Sequence, residues 1–151
     1  HLAQAYRMLE CQDAPSWLYA VLNGGTTIWE RWDSLKPDGT VNAGDMTSFN
    51  HYALGAIADW MHRVVAGIEA VEPGWRRIRF APRPGGSLTH AGARHLTPYG
   101  EAAIRWTVTD ATLEVEATVP VGATAALDLG DGERELGHGT HRVAVAWPTP
   151  A

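Results

Sequence analysis

Residues 101–119, Glu101-Ala102-Ala103-Ile104-Arg105-Trp106-Thr107-Val108-Thr109-Asp110-Ala111-Thr112-Leu113-Glu114-Val115-Glu116-Ala117-Thr118-Val119, decide the fold of the C-terminal half. Ala102, Ile104, Trp106 and Val108 alternate with polar or small residues, as do Leu113, Val115, Ala117 and Val119. A period of two sends successive side chains to opposite faces of a strand, so each run predicts a half-buried β-strand. Shorter runs at residues 78–80, 88–93, 125–129 and 142–147 are separated by Gly, Pro and Asp turn residues. Many short strands at that spacing predict a small antiparallel β-sandwich. Trp106 and Trp147 fall on inward positions, and Pro148-Thr149-Pro150 is expected to end the last strand.

Before the sandwich the periodicity is helical. Leu2, Ala5, Tyr6 and Leu9 lie at helical spacing, and Gln12-Asp13-Ala14-Pro15 breaks the helix near Cys11. Asp13 or Ser16 can cap a second helix over residues 17–22, which Asn23-Gly24-Gly25 stops. A loop with a Pro37-Asp38-Gly39 turn follows. A third and longest helix is predicted over about residues 47–67, with an Asp59–Arg63 ion pair one turn apart. Its first half is apolar or small on nearly every face, which predicts burial all round. Such a helix needs helical neighbours beyond the two short ones, so its partners are expected on further chain or on a second copy. The class is therefore α+β, helices followed by a small antiparallel sandwich, with domains over residues 1–69 and 70–151.

Composition narrows the function. The chain has 151 residues, 19% charged and 45% hydrophobic, a globular balance. Net charge is −5 and no basic run exceeds Arg76-Arg77, which disfavours nucleic acid as a partner. No apolar stretch nears the ~20 residues needed to span a bilayer, so a membrane is not an expected partner. The lone Cys11 excludes an intrachain disulfide. His1 opens straight into a helical pattern, so the chain is expected to continue a longer one.

The chemistry concentrates in Gly24-Gly25-Thr26-Thr27-Ile28-Trp29-Glu30-Arg31-Trp32-Asp33. Glu30 stands between two indoles, whose faces can stack on the C–H faces of a pyranose while a carboxylate handles hydroxyls or water. Residue types alone leave open a packed tryptophan pair with Glu30 ion-paired to Arg31. Asp38, Asn42 and Asp45 invite a calcium reading but lack the order of a hand-type loop and its terminal Glu. His138 and His141 have zinc-like spacing between glycines that read as a hairpin turn, with no third ligand nearby. No metal or other cofactor is expected.

The ordered series Gly24 to Trp32, Met46-Thr47-Ser48-Phe49-Asn50-His51-Tyr52, Gly67-Ile68, Gly74-Trp75, Ile78, Pro82, Thr97-Pro98-Tyr99-Gly100 and Trp106 resembles the C-terminal part of bacterial α-L-rhamnosidases, which are inverting glycoside hydrolases. The resemblance implies that residues 1–69 are the last helices and active-site loop of an α/α-barrel catalytic domain, and residues 70–151 its C-terminal β-sandwich. It implies that Glu30 is the general base and that His51 contacts the rhamnose. Trp29 and Trp32 are expected substrate-binding residues, one lining the pocket and the other packing below it. Asp33 and Asn50 are expected to hold Glu30 or His51 in place.

Inverting hydrolysis also needs a general acid about 6.5–9.5 Å from the base. In the family this acid lies far upstream, and no segment here resembles its motif. The implied partners are a rhamnose-containing glycoside or oligosaccharide and the upstream part of the same catalytic domain. The chain by itself is expected to be inactive and to self-associate through the uncovered faces of its helices. The alternatives are a carbohydrate-binding module that does not cleave its ligand, in which Glu30 needs no basic role, and a purely structural sandwich.

Overall fold

The alternating runs form strands in a computed structural model that describes residues 1–44 and 46–147. Asp45, one residue of the calcium reading, and the Pro148-Thr149-Pro150 end lie outside the described residues. The chain divides into two compact units, His1–Ala58 and Asp59–Ala151.

In the second unit, eight strands among the described residues build two sheets. The first joins β1 (Ile68–Ala70), β2 (Arg77–Phe80), β6 (Thr124–Asp128) and β7 (Glu133–Leu136) in that order. The second joins β3 (His90–Thr97), β4 (Gly100–Thr109), β5 (Thr112–Val119) and β8 (Gly139–Ala146). The pairing is antiparallel throughout except between β2 and β6, which run parallel. That exception follows from connectivity, because the chain builds β3, β4 and β5 in the other sheet before returning as β6.

The predicted inward faces are the buried ones. Ala102, Ile104, Trp106, Leu113, Val115, Ala117 and Val119 meet Ile78, Phe80, Ala125 and Leu127 in the core. Asp110 and Ala111 both take positive φ between β4 and β5, the geometry of a type I′ hairpin turn. Trp147 is half-buried beyond β8 and donates its backbone N–H to the Ala111 carbonyl at 2.7 Å.

Ion pairs tie the first sheet together. Asp128 accepts a hydrogen bond from the Gly130 N–H at 2.9 Å and meets Arg83 at 2.5 Å and Arg79 at 3.1 Å. The Gly130 N–H, then Arg83 and Arg79, hold its carboxyl below the ordinary 3.8 against an opposing push from burial. A depressed folded pKa means stability that is fully present above the unfolded value and lost as pH falls through the folded one. Asp128→Asn is therefore expected to cost about 1–2 kcal/mol at neutral pH. The loss should shrink below about pH 4, as urea melts at several pH values would record.

The third helix differs most from expectation. Residues 47–52 are not helical; the helical segment runs as a 3₁₀ turn (Ala53–Ala56), α3 (Ile57–Trp60) and a π turn (Met61–Ala66). The reason lies in backbone hydrogen bonds already committed elsewhere: Ser48 binds Glu30 in both directions, and the His51 N–H goes to the Ile28 carbonyl at 2.8 Å. Within this chain no residue of the 3₁₀ turn or of α3 is fully buried; the segment's neighbours are expected on further chain or on a second copy. Burial begins at Val65, which packs on the sandwich within the second unit. Gly67 ends the segment at φ +81°, and its N–H reaches the His62 carbonyl at 2.9 Å, five residues back. A Cβ on Gly67 would collide with the Pro82 backbone, so the residue suits both the left-handed turn and the close approach.

The first unit holds α1 (Leu2–Glu10) and α2 (Trp17–Leu22). Of the two candidate caps it is Ser16 that accepts the Tyr19 N–H, at 3.0 Å. Burial, helped by Glu10, pushes the Tyr6 hydroxyl up to about 12. The Tyr19 hydroxyl donates to the Leu35 carbonyl at 2.8 Å and so anchors the long loop.

Candidate active site

Two irregular stretches of the first unit, around residues 27–30 and 48–51, are laced to each other. The Glu30 N–H donates to the Ser48 carbonyl at 2.8 Å, and the Ser48 N–H donates to Glu30 Oε2 at 3.0 Å. The Thr27 hydroxyl donates to the Phe49 carbonyl. The structure therefore brings the segments carrying Glu30 and His51 side by side, although they are 21 residues apart in sequence.

Glu30 is half-buried, with one carboxylate oxygen held by a backbone donor. Arg31 turns away from it and pairs with Asp33 at 3.3 Å. Among the described residues no cation forms an ion pair with Glu30. A backbone donor fixes the direction of this carboxylate and leaves its other oxygen to face a water molecule, which suits it to accept a proton.

His51 accepts the Ala53 N–H on Nδ1 at 3.2 Å and stacks on Tyr52 with ring centroids 5.2 Å apart. A bond accepted at Nδ1 leaves the proton of the neutral ring on Nε2, so the outer nitrogen is a donor. Trp29 is 5% exposed and packs edge-on against Phe49, with Gly25 lying close against its ring. Trp32 is half-buried and meets Trp17 edge-to-face at 4.9 Å. Trp17 in turn donates its indole N–H to the Leu54 carbonyl at 2.8 Å. The cavity behind these tryptophans measures about 80 Å³, room for a few water molecules and not for a sugar ring.

Asp33 is held by Arg31 and by the Asn42 side chain at 2.8 Å. Asn50 is exposed and donates its backbone N–H to the Ser48 hydroxyl at 3.1 Å. Sequence reasoning missed Ser48 as the group that holds Glu30, Trp17 as the ring behind Trp32, and Asn42 as the anchor of Asp33. The Ser48 role is carried by its backbone and has no residue-type signal. His141 approaches the Gly137 carbonyl at 2.9 Å, and no cluster of metal-binding side chains occurs among the described residues.

Residues 1–65 match the family model of the bacterial α-L-rhamnosidase 6 hairpin glycosidase domain, and residues 67–144 match that of the bacterial α-L-rhamnosidase C-terminal domain. An α-L-rhamnosidase of Streptomyces avermitilis is 41% identical over 125 residues, which cover 83% of this chain and 12% of that protein. One from Formosa agariphila is 42% identical over 124 residues, covering 82% and 13%. The crystal structure of native α-L-rhamnosidase from Aspergillus terreus aligns with a TM-score of 0.90 at 43% identity, covering 95% of this chain and 17% of that one. The Streptomyces avermitilis enzyme complexed with L-rhamnose gives 0.88 at 36%, covering 96% and 16%. The chain spans about an eighth of the length of these curated relatives.

Proposed function

The chain belongs to the bacterial α-L-rhamnosidase family, and from that premise we propose that it forms the C-terminal portion of an inverting glycoside hydrolase releasing terminal α-L-rhamnose. In this reading residues 1–69 are the last helices and active-site loop of the α/α-barrel catalytic domain, and residues 70–151 are the sandwich that follows it. Glu30 is the general base. It takes a proton from a water molecule as that water attacks the anomeric carbon on the face opposite the leaving oxygen. A carboxylic acid from the remainder of the catalytic domain protonates the leaving oxygen.

The observation that carries the reading is Glu30 itself, oriented by the Ser48 N–H and unpaired with Arg31. His51 presents its Nε2–H to a sugar hydroxyl, and Trp32 offers the ring that meets the sugar. Trp29 supports the loop from below, while Asp33 and Asn50 stiffen the two segments around the base.

Inversion is the test. Proton NMR of a freshly cleaved aryl α-L-rhamnoside, using the full-length enzyme, is expected to show β-L-rhamnose before mutarotation. Initial release of the α-anomer would exclude a base of this kind. The 151-residue chain by itself is expected to give no turnover, because it supplies neither leaving-group protonation nor complete substrate positioning. Turnover by that chain, abolished by Glu30→Gln, would contradict the division of labour.

The isolated chain is also expected to self-associate through exposed apolar side chains on its helical unit, including Val21, Leu22, Met46 and Tyr52. Light scattering would detect this, and a monodisperse monomer at high concentration would refute it.

A further inference from the structure

A second concave site lies wholly within the sandwich unit. It is a cavity of about 310 Å³ lined by Asp59, His62, Arg63, Glu69, Trp75 and His95, with Ile68 and Ala70 completing the wall. An indole, two imidazoles, two carboxylates and a guanidinium therefore converge on one depression. Of two larger hollows, the one on the outer face of β4, β5 and β8 offers only the Trp106 ring, which is buried in the core, and the one over β3, β4 and β5 offers no ring.

Trp75 is the unusual member. Its backbone sits at φ +63°, directly after Gly74 at φ +74°. A bulky L-residue pays about 1–2 kcal/mol to occupy the left-handed region, and strain of this kind gathers at ligand clamps. The turn could be made with glycine or asparagine. Instead it carries an indole that is only half-buried and stacks on the exposed His95 imidazole, with centroids 4.3 Å apart and planes 21° apart.

The charges around the cavity are matched in pairs. Arg63 Nε donates to both Asp59 oxygens at 2.9 Å, and Glu69 Oε1 meets Arg79 at 3.0 Å. A site with balanced charge, carboxylate and imidazole groups and an aromatic platform selects a neutral polyhydroxylated ring over an anion.

We propose that the Trp75–His95 cavity is a binding site for a neutral pyranose, separate from the Glu30 segment and without hydrolytic chemistry. Its ring stack takes the apolar face of the sugar, while the Asp59 and Glu69 carboxylates accept from hydroxyls. The two readings are independent: the site needs no general base, and the catalytic reading needs no second sugar site.

The test is a titration of the full-length enzyme with methyl α-L-rhamnopyranoside, followed by NMR of selectively labelled Trp75 and His95 side chains. Saturable shifts with a Kd on the order of 1 mM are expected. His95→Ala, at an exposed position that the core does not need, is expected to weaken binding about fivefold to tenfold. Trp75→Ala should do at least as much if the variant folds. Glu30→Gln is expected to leave these shifts unchanged, which separates this site from the catalytic one. Signals at Trp75 and His95 that do not move, that drift without saturating, or that respond equally to glucuronate would overturn the proposal. So would full binding by His95→Ala.

Discussion

Glu30→Gln in the full-length enzyme is expected to lower kcat for an aryl α-L-rhamnoside on the order of a thousandfold, with KM changed by less than about threefold. The amide has nearly the shape of the carboxylate, and its oxygen can still accept the Ser48 N–H that holds Glu30 Oε2 at 3.0 Å. What it cannot do is take a proton from the attacking water. The loss therefore falls on the transition state and spares substrate binding. Because Glu30 is only half-buried and makes no ion pair among the described residues, the melting temperature should barely move. Retention of more than a tenth of the wild-type kcat would assign the base elsewhere. A fall in kcat accompanied by a large drop in melting temperature would mark Glu30 as a structural residue.

Trp106→Ala is expected to be the most damaging single change to the sandwich. Trp106 is fully buried, and its indole N–H donates to the Val65 carbonyl at 2.7 Å, pinning the π turn to the second sheet. Removing the ring opens a cavity worth about 3–5 kcal/mol. It also strands a buried carbonyl, at a further cost of about 1–3 kcal/mol. Against a typical stability of about 5–15 kcal/mol, the variant should be largely unfolded or melt far below the parent. Trp106→Phe separates the two contributions, since it keeps most of the volume and loses the hydrogen bond, and it should cost about half as much. Calorimetry on the three proteins measures the series, and a loss under about 1 kcal/mol for Trp106→Ala would remove this residue from the centre of the core.

The strands were legible because each carries its own burial pattern. Ile104, Trp106, Leu113 and Val115 point inward wherever the partner strand comes from, and Asp110-Ala111 supplies the turn that reverses the chain. Less legible was the pairing: nothing in residues 77–80 or 124–128 announces that these two strands run parallel in one sheet. The third helix misled for a related reason. Residues 47–52 read as its first turns, yet the Ser48 and His51 backbone groups are bonded to Glu30 and Ile28 and leave the helical segment to begin at Ala53.

For the candidate site, the residue types Trp-Glu-Arg-Trp and the His51 segment were visible at once. Their relation was not. Local spacing allowed a Glu30–Arg31 pair, but Arg31 goes to Asp33, and Asp33 to Asn42. Which indole is hidden was equally open until Phe49 closed over Trp29 and left Trp32 against Trp17.

By itself the sequence determined the helix-then-sandwich order, the inward face of most strands and the residues able to do carboxylate chemistry, because periodicity and side-chain type are local properties. Only the tertiary structure decided that residues 47–52 stay out of the helix, that the Ser48 backbone orients Glu30, and that a strained Trp75 stacks on His95 in the wall of a cavity. Those outcomes rest on hydrogen bonds and ring contacts between segments about 20 residues apart, where each donor can be spent once and the fold chooses its acceptor.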